Sequence, residues 1–388
     1  MTARPAIVQI NLSPTLGGAE VFTAFMGRAL AARGWPTRTI VDAETNFWSD
    51  LDTGGAGPVR VGDAAAAAAN VAPGEIALVH SPLPAPALQA LRARGPMLGV
   101  VHQILYDASR PAYFDHADLL FGVSRHVLAT LRKSGLTNVH PDPLFAIGEV
   151  RRQHAQATAV RGPLCEWDAR KLRDRVLALG EQAGGRFTRR PSYARRTGLT
   201  LGIVSRLAPA KQFPALFDIV APIIAAQRHV NLEVFGVAVG YKSLREFREA
   251  LRPLGTRVRM WGYQRDVAAA YRGIDYLMTG LPEREALGLN VIEAGLCGTP
   301  VLAVDAPPFT ETVRDGVTGF LYTDPRKDQG RHFAGLLSEI AAGTRKPDMA
   351  GAPAHLAMFS FEHFADRADL AMQAAVARVS ANRKATAA

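Results

Sequence analysis

Two glutamates eight positions apart, Glu285 and Glu293, stand in the run Leu281-Pro-Glu283-Arg284-Glu285-Ala-Leu-Gly288-Leu-Asn-Val-Ile-Glu293-Ala-Gly295-Leu-Cys-Gly298-Thr-Pro300-Val301. On one continuous helix they would lie about 12 Å apart at 1.5 Å per residue, too far to share a proton but suited to the two ends of an extended ligand. We place Glu285 in a loop, near a sugar, and Glu293 on the following helix, able to accept from both hydroxyls of a ribose. As isolated glutamates both would be ordinary surface residues. A second group lies upstream, in Val204-Ser205-Arg206-Leu207-Ala-Pro-Ala-Lys211-Gln212. Arg206 and Lys211 leave one loop at a strand end, where a guanidinium fork and an ammonium could clamp a diphosphate. Taken singly, either cation also reads as a solvated side chain.

Near the start, Asn11-Leu-Ser-Pro-Thr-Leu-Gly17-Gly18-Ala19-Glu20 joins a short apolar run to a helix carrying Val21, Phe22, Phe25 and Met26. Paired glycines at a helix N-terminus let an anion approach free N–H groups, although a Gly-Gly pair alone also suits a tight βα turn. The spacing matches neither GxGxxG nor GxxxxGK[ST], so neither a nicotinamide dehydrogenase nor a P-loop is supported. His102, at the end of another apolar run, is a candidate for a catalytic or sugar-binding role; the alternative is a packed histidine at a strand end. Ser124-Arg125 is a weaker candidate for the acceptor side. Asp50-Leu51-Asp52 spells DxD but reads as a solvated turn, and the remaining histidines lack paired ligand spacing, so no metal is expected.

These residues need elements to hold them. Short β-branched or apolar runs alternate with amphipathic stretches through both halves, the pattern of parallel sheets with crossover helices. Strands are predicted at Ile7–Asn11, Thr37–Val41, Ile76–His80, Met97–His102 and Leu119–Val123, then at Leu199–Ser205, Asn231–Phe235, Arg257–Trp261, Tyr276–Thr279 and Val301–Val304. Ala64–Ala69 reads as an Ala-rich helix. The predicted fold class is α/β with two doubly wound domains. Residues 1–197 form the first, including a basic interdomain segment at 151–197; residues 198–360 form the second; and 361–388 form a C-terminal helix that packs back on the first. Ligands of such sheets bind beyond the carboxyl ends of the strands, where every candidate above falls.

A chain of 388 residues with 48% hydrophobic and 21% charged residues is of ordinary globular composition and long enough for two domains. Two distant cysteines, Cys165 and Cys297, exclude a disulfide framework and are expected to be free thiols of a reducing compartment. The N-terminal residues lack the basic and apolar regions of a signal peptide, and no run reaches the length of a membrane span. The net charge of +10 is concentrated: residues 151–200 carry twelve Lys and Arg against four Asp and Glu. Within it Trp167, Leu172, Val176 and Leu179 recur near helical spacing, so a basic amphipathic helix could lie on an anionic membrane; a solvated linker accounts for the charge equally well. No helix-turn-helix, zinc-finger or aromatic RNA-binding pattern accompanies it, so nucleic acid is not expected as a partner.

The joint pattern resembles the retaining glycosyltransferases of family 4, which have the GT-B fold. The resemblance rests on Gly17-Gly18-Ala19-Glu20, Ser205-Arg206-Leu207 with Lys211, Phe235-Gly236, Trp261-Gly262-Tyr263, Glu285-x7-Glu293, Gly298-Thr-Pro300-Val and Val317-Thr-Gly319-Phe-Leu321, in order over most of the chain outside 151–198. It implies two Rossmann-like domains facing a cleft and transfer of a sugar, with retention, from a UDP- or GDP-linked donor to a glycan or polyprenyl-linked acceptor. The setting it implies is bacterial polysaccharide or lipopolysaccharide biosynthesis, cytoplasmic or peripheral on the inner membrane face. It assigns the donor phosphate to Gly17 and Gly18, the diphosphate to Arg206 and Lys211, the ribose to Glu293 and the transferred sugar to Glu285, with His102 near the sugar or acceptor. No cofactor or metal is implied. The chain departs from the pattern at Gln212, where the family usually has Gly, and at Glu285-Ala-Leu-Gly288. Two other readings are a nucleotide-sugar epimerase of similar build and a non-catalytic nucleotide-sugar-binding subunit.

Overall fold

The computed structural model describes residues 4–55, 57–104, 111–148, 192–264 and 266–387, with Val160, Val176 and Leu179. Its contacts divide the chain into two compact units, Met1–Ile147 with Ala357–Ala388, and Gly148–Leu356. This moves the predicted boundary at 197/198 toward the N-terminus. The reason is visible after the basic segment: the Tyr193 hydroxyl donates to the Gly273 carbonyl, Arg195 pairs with Asp275, and Arg196 donates to the Thr256 carbonyl at 2.7 Å, all within the second unit. The proposed membrane helix, Cys165 and most of residues 151–191 lie outside the described residues. Among the described residues no helix is long and apolar enough to cross a membrane.

In the first unit, strands β1 (Ile7–Asn11), β2 (Thr37–Asp42), β3 (Val59–Val61), β4 (Ile76–Val79), β5 (Met97–Val101) and β6 (Leu119–Gly122) form a parallel sheet ordered β3-β2-β1-β4-β5-β6. β1, β4, β5 and β6 are buried throughout, as expected when helices cover both faces and the strand runs are continuously apolar. The helix Phe361–Ala387 belongs to this unit. It packs on the helix Gly18–Ala32 through Phe364 against Phe22, ring centroids 5.4 Å apart, and its Asp369 accepts from Trp35 Nε1 at 2.7 Å.

The second unit repeats the plan with β7 (Leu199–Val204), β8 (Val230–Phe235), β9 (Val258–Gly262), β10 (Tyr276–Met278), β11 (Val301–Val304) and β12 (Gly319–Tyr322), ordered β12-β11-β10-β7-β8-β9. Its pairs are parallel, in the register Leu201↔Leu232 and Tyr276↔Leu201. One core under this sheet is built on Phe213, Phe217, Phe247 and Phe333. The other face is closed by Trp261, Tyr271, Phe235 and Phe309. In each unit the strand order reverses beside the first strand, between β1 and β4 and between β7 and β10. Loops at such a reversal diverge and leave a crevice at the carboxyl edge of the sheet.

Candidate functional site

Arg206 and Lys211 occupy the loop after β7, and Glu285 the loop after β10, so the reversal of strand order in the second unit places all three at one crevice. Two glycines make the loops meet. A side chain at Gly280 would put Cβ 2.0 Å from the Lys211 carbonyl oxygen, and one at Gly236 would put it 1.8 Å from the Ser205 oxygen. Both neighbours are backbone and cannot swing away, which accounts for Gly after β10 and after β8. The close approach is locked by the Leu281 N–H, which donates to the Lys211 oxygen at 3.2 Å. Lys211 Nζ then donates to Glu285 Oε2 in an ion pair whose side chains are only 28% and 14% exposed. Residues 74 apart in sequence become one polar unit. Arg206 is exposed at the end of β7.

Lys211 ends a short 3-10 helix, Pro209–Lys211, and the next residue, Gln212, has φ 54° and ψ 30°. Left-handed backbone costs an L-residue about 1–2 kcal/mol and costs glycine nothing. A glycine would take this turn without that cost. Here the Gln212 side chain gains a bond in return, donating to Glu283 Oε2 at 3.1 Å.

Glu285 and Glu293 do not share a helix. Glu285 follows a 3-10 turn at Pro282–Arg284, Gly288 turns left-handed at φ 83°, and the helix Leu289–Leu296 begins there. Asn290 Nδ2 donates to the Val204 oxygen at 3.3 Å, fastening the first turn of that helix to the end of β7. One turn on, the Glu293 carboxyl is largely enclosed, and burial raises its pKa to about 7, partly opposed by the Tyr271 hydroxyl, which donates to Oε2 at 2.8 Å. Tyr271 is held in turn by Thr299, whose hydroxyl donates to the Tyr271 carbonyl at 2.9 Å. The Gly298-Thr299-Pro300 motif thus reaches Glu293 through Tyr271. Sequence reading missed Tyr271, which is indistinguishable from a core aromatic on its helix. The Trp261-Gly262-Tyr263 motif divides similarly: Trp261 Nε1 donates to the fully buried Glu233 at 2.6 Å, and Tyr263 is exposed.

In the first unit, Gly17 is the extended N-cap of the helix Gly18–Ala32, with φ −157°. A Cβ there would lie 3.2 Å from Glu20 Oε2, so a carboxylate already faces the loop that sequence reading assigned to phosphate. His102 follows β5 and is stacked on His80, which follows β4; His80 Nδ1 and His102 Nε2 are 3.1 Å apart. Burial depresses His102 to about 3, and burial together with the neighbouring imidazole takes His80 well below its ordinary value. His102 is therefore a neutral ring at working pH, able to donate or accept a hydrogen bond but not to act as an imidazolium acid. Ser124 is buried and caps the helix Arg125–Lys133, accepting from the Val127 N–H at 3.0 Å, and Arg125 stacks over Phe145. Asp52 accepts from the Gly54 N–H at 3.0 Å and faces Arg28 at 3.7 Å, as a turn residue. Among the described residues, Cys297 is in no disulfide.

Residues 198–339 match the family Glycosyl transferases group 1. The matched region starts one residue before β7 and contains Arg206, Lys211, Glu285 and Glu293. The chain is also similar to the D-inositol 3-phosphate glycosyltransferase of Rhodococcus erythropolis, 41% identical over 103 residues, which is 26% of this chain and 22% of that protein. The chain thus spans about a quarter of the length of the curated relatives it matches. Over most of its length it is similar to solved structures: Anabaena HepE in complex with UDP (TM-score 0.67, 18% identity, 95% of this chain and 100% of that one) and sucrose-phosphate synthase of Thermosynechococcus elongatus (0.66, 17%, 96% and 100%). The fold is GT-B, two Rossmann-like domains.

Proposed function

We propose that the chain is a retaining glycosyltransferase that moves a sugar from a nucleotide diphosphate-sugar to a glycan or lipid-linked glycan. The observation that carries this reading is the grouping of Arg206, Lys211 and Glu285 at the strand-order reversal of the second unit, with Glu293 on the helix that follows. The family matched by residues 198–339 supports it, as does the similarity to HepE, whose structures hold UDP and UDP-glucose. Arg206 and Lys211 supply positive charge where a strand-edge crevice receives phosphates, and Glu293 receives the two ribose hydroxyls.

As the bond from sugar to diphosphate breaks, negative charge grows on the departing phosphate. Fixed cations near that oxygen stabilise the transition state more than the ground state, which is how they raise the rate. Glu285 holds the Lys211 ammonium at the crevice before the donor arrives. When the diphosphate binds, Lys211 gains a second anionic partner while Glu285 turns its free oxygen to the sugar. The counter-charge comes from these side chains, and no resident metal or cofactor forms part of the proposal. A UDP or GDP donor, a polyprenyl-linked acceptor, polysaccharide or lipopolysaccharide synthesis, and a place at the inner membrane face through the basic 151–198 segment complete the reading.

Calorimetric titration with UDP, GDP and dTDP tests it. We expect one nucleotide to bind, and Arg206→Ala and Glu293→Ala each to weaken it at least tenfold. Binding unchanged in both variants, or absent for all three nucleotides, would overturn the donor site. Proton NMR of the anomeric centre in the product then decides retention against inversion.

A further inference from the structure

The first sheet holds a chain of three polar side chains, Gln9 and His80 buried and His102 partly so, whose proton positions are dictated from one end. Gln9, on β1, is fully buried and lies against two backbone groups of the helix Gly18–Ala32. One is the Thr23 carbonyl, an acceptor only, and the other is the Gly27 N–H, a donor only. The Gln9 amide must therefore turn its nitrogen to Thr23 and its oxygen to Gly27, giving contacts of 3.3 and 3.1 Å; the oxygen also accepts from Thr39 Oγ1 at 3.2 Å. In that orientation the amide nitrogen donates to His80 Nε2 at 3.0 Å.

The consequence passes from ring to ring. A neutral imidazole carries one N–H and one bare nitrogen. With Nε2 accepting from Gln9, His80 carries its proton on Nδ1, and that N–H faces His102 Nε2 at 3.1 Å. His102 must then accept at Nε2 and carry its own proton on Nδ1. Protonating either ring would put a second donor into a line that already has one at every step, and both rings are held neutral by burial. His80 is 4% exposed, whereas His102 keeps part of its surface open at the end of β5. Phe22, edge-on to His102 at 5.0 Å, fixes the plane of the ring.

We propose that Gln9 and His80 are positioning residues that hold His102 in the neutral Nδ1–H tautomer, making it an obligate hydrogen-bond donor to a sugar hydroxyl brought to this edge. The second half of the proposal rests on the glycosyltransferase reading; the first half does not. A donor of fixed direction at a strand end discriminates a hydroxyl from a group that cannot accept, because the unpaired N–H would otherwise remain partly desolvated.

Long-range proton–nitrogen NMR of protein labelled with ¹⁵N-histidine reads the tautomers directly, His80 and His102 being assigned among the ten histidines by single substitution. We expect both neutral with the proton on Nδ1. A proton on Nε2 of either ring would overturn the relay. Two variants test its use. His80→Asn keeps an amide N–H where Nδ1–H stood, whereas His80→Phe keeps the ring volume and offers no donor. Calorimetry with UDP and with UDP-glucose then isolates the sugar contact as the ratio of the two affinities. His80→Phe should lower that ratio by up to about tenfold, the worth of one oriented neutral hydrogen bond; His80→Asn should restore it, with UDP alone bound equally by all three proteins. A ratio unchanged in His80→Phe, or no preference for UDP-glucose in the wild type, would overturn the sugar contact. Loss of UDP binding in the wild type itself would instead overturn the glycosyltransferase reading and the sugar contact with it, while the NMR result would still decide the tautomer relay.

Discussion

Glu293→Gln should make the ligand-free protein more stable and a poorer nucleotide binder, and the size of the gain should depend on pH. Burial raises the Glu293 carboxyl from 4.5 to about 7 despite the bond from Tyr271. Between these two values the native chain holds a proton that the unfolded chain has released. Stability therefore falls as pH rises through that window and the full cost is present above it. The rise from 4.5 to about 7, at 1.36 kcal/mol per tenfold change in proton affinity, gives a cost of about 3 kcal/mol at pH 8. Glutamine has the same shape, still accepts from Tyr271 through its amide oxygen, and carries no charge. For a unit of this size the gain corresponds to an increase in Tm of about 6–12 °C at pH 8. It should shrink below pH 7 and vanish near pH 4.5, where both side chains are neutral. Thermal unfolding of both proteins at pH 8, 6 and 4.5 makes the comparison. The same design measures function: a ribose that donates to the carboxylate favours its ionised form, so nucleotide binding at pH 6 should release about one proton more in the wild type than in Glu293→Gln, the proton lost by the terminal phosphate being common to both. A difference in Tm that does not vary with pH, or a variant less stable at pH 8, would refute the assignment of this charge to a desolvated site.

Three other perturbations have defined outcomes. Tyr271→Phe removes the group that opposes the upward shift of Glu293, so the pH midpoint for nucleotide binding should move higher, at a stability cost of about 1 kcal/mol for the lost hydrogen bond, as read by calorimetry across pH and by thermal unfolding. Gly280→Ala forces a methyl group toward a backbone oxygen now 2.0 Å from the ideal Cβ, and should cost about 1–3 kcal/mol and weaken nucleotide binding by displacing Lys211 from Glu285. Gln212→Gly relieves left-handed backbone but loosens the unfolded chain, for a net gain of up to about 1 kcal/mol in denaturant unfolding with nucleotide affinity unchanged.

The sheets were legible because a parallel strand buried on both faces is a nearly unbroken apolar run, and Ile7–Asn11 and Val301–Val304 coincide with their predicted spans. The two strands that escaped are outer ones: Val59–Val61 has three residues with a central arginine, and Gly319–Tyr322 opens on glycine. Neither makes a run long enough to stand out. At the site, sequence spacing put Arg206 and Lys211 on one loop but could not show that Glu285 would pair with Lys211, since that depends on β10 lying next to β7. The departure at Gln212 could be seen; that it sits in a left-handed turn could not. Tyr271 and His80 were hidden for a different reason. Each acts through another residue, and a tyrosine on an apolar helix face or a histidine closing a strand has no pattern of its own.

The return of the helix Phe361–Ala387 to the first unit has a consequence for biogenesis. Trp35 and Asp369 are 334 residues apart, and Arg367 donates to the Leu144 carbonyl at 2.9 Å across 223. On the ribosome, the first sheet emerges long before the helix that covers Phe22 and Trp35 exists, whereas the second unit has all its strands in one uninterrupted stretch. The N-terminal half is thus translated first and completed last. Until then its apolar flank stays uncovered, and contacts so distant in sequence close slowly. A nascent chain arrested before residue 361 should therefore carry a finished second sheet and an open first one.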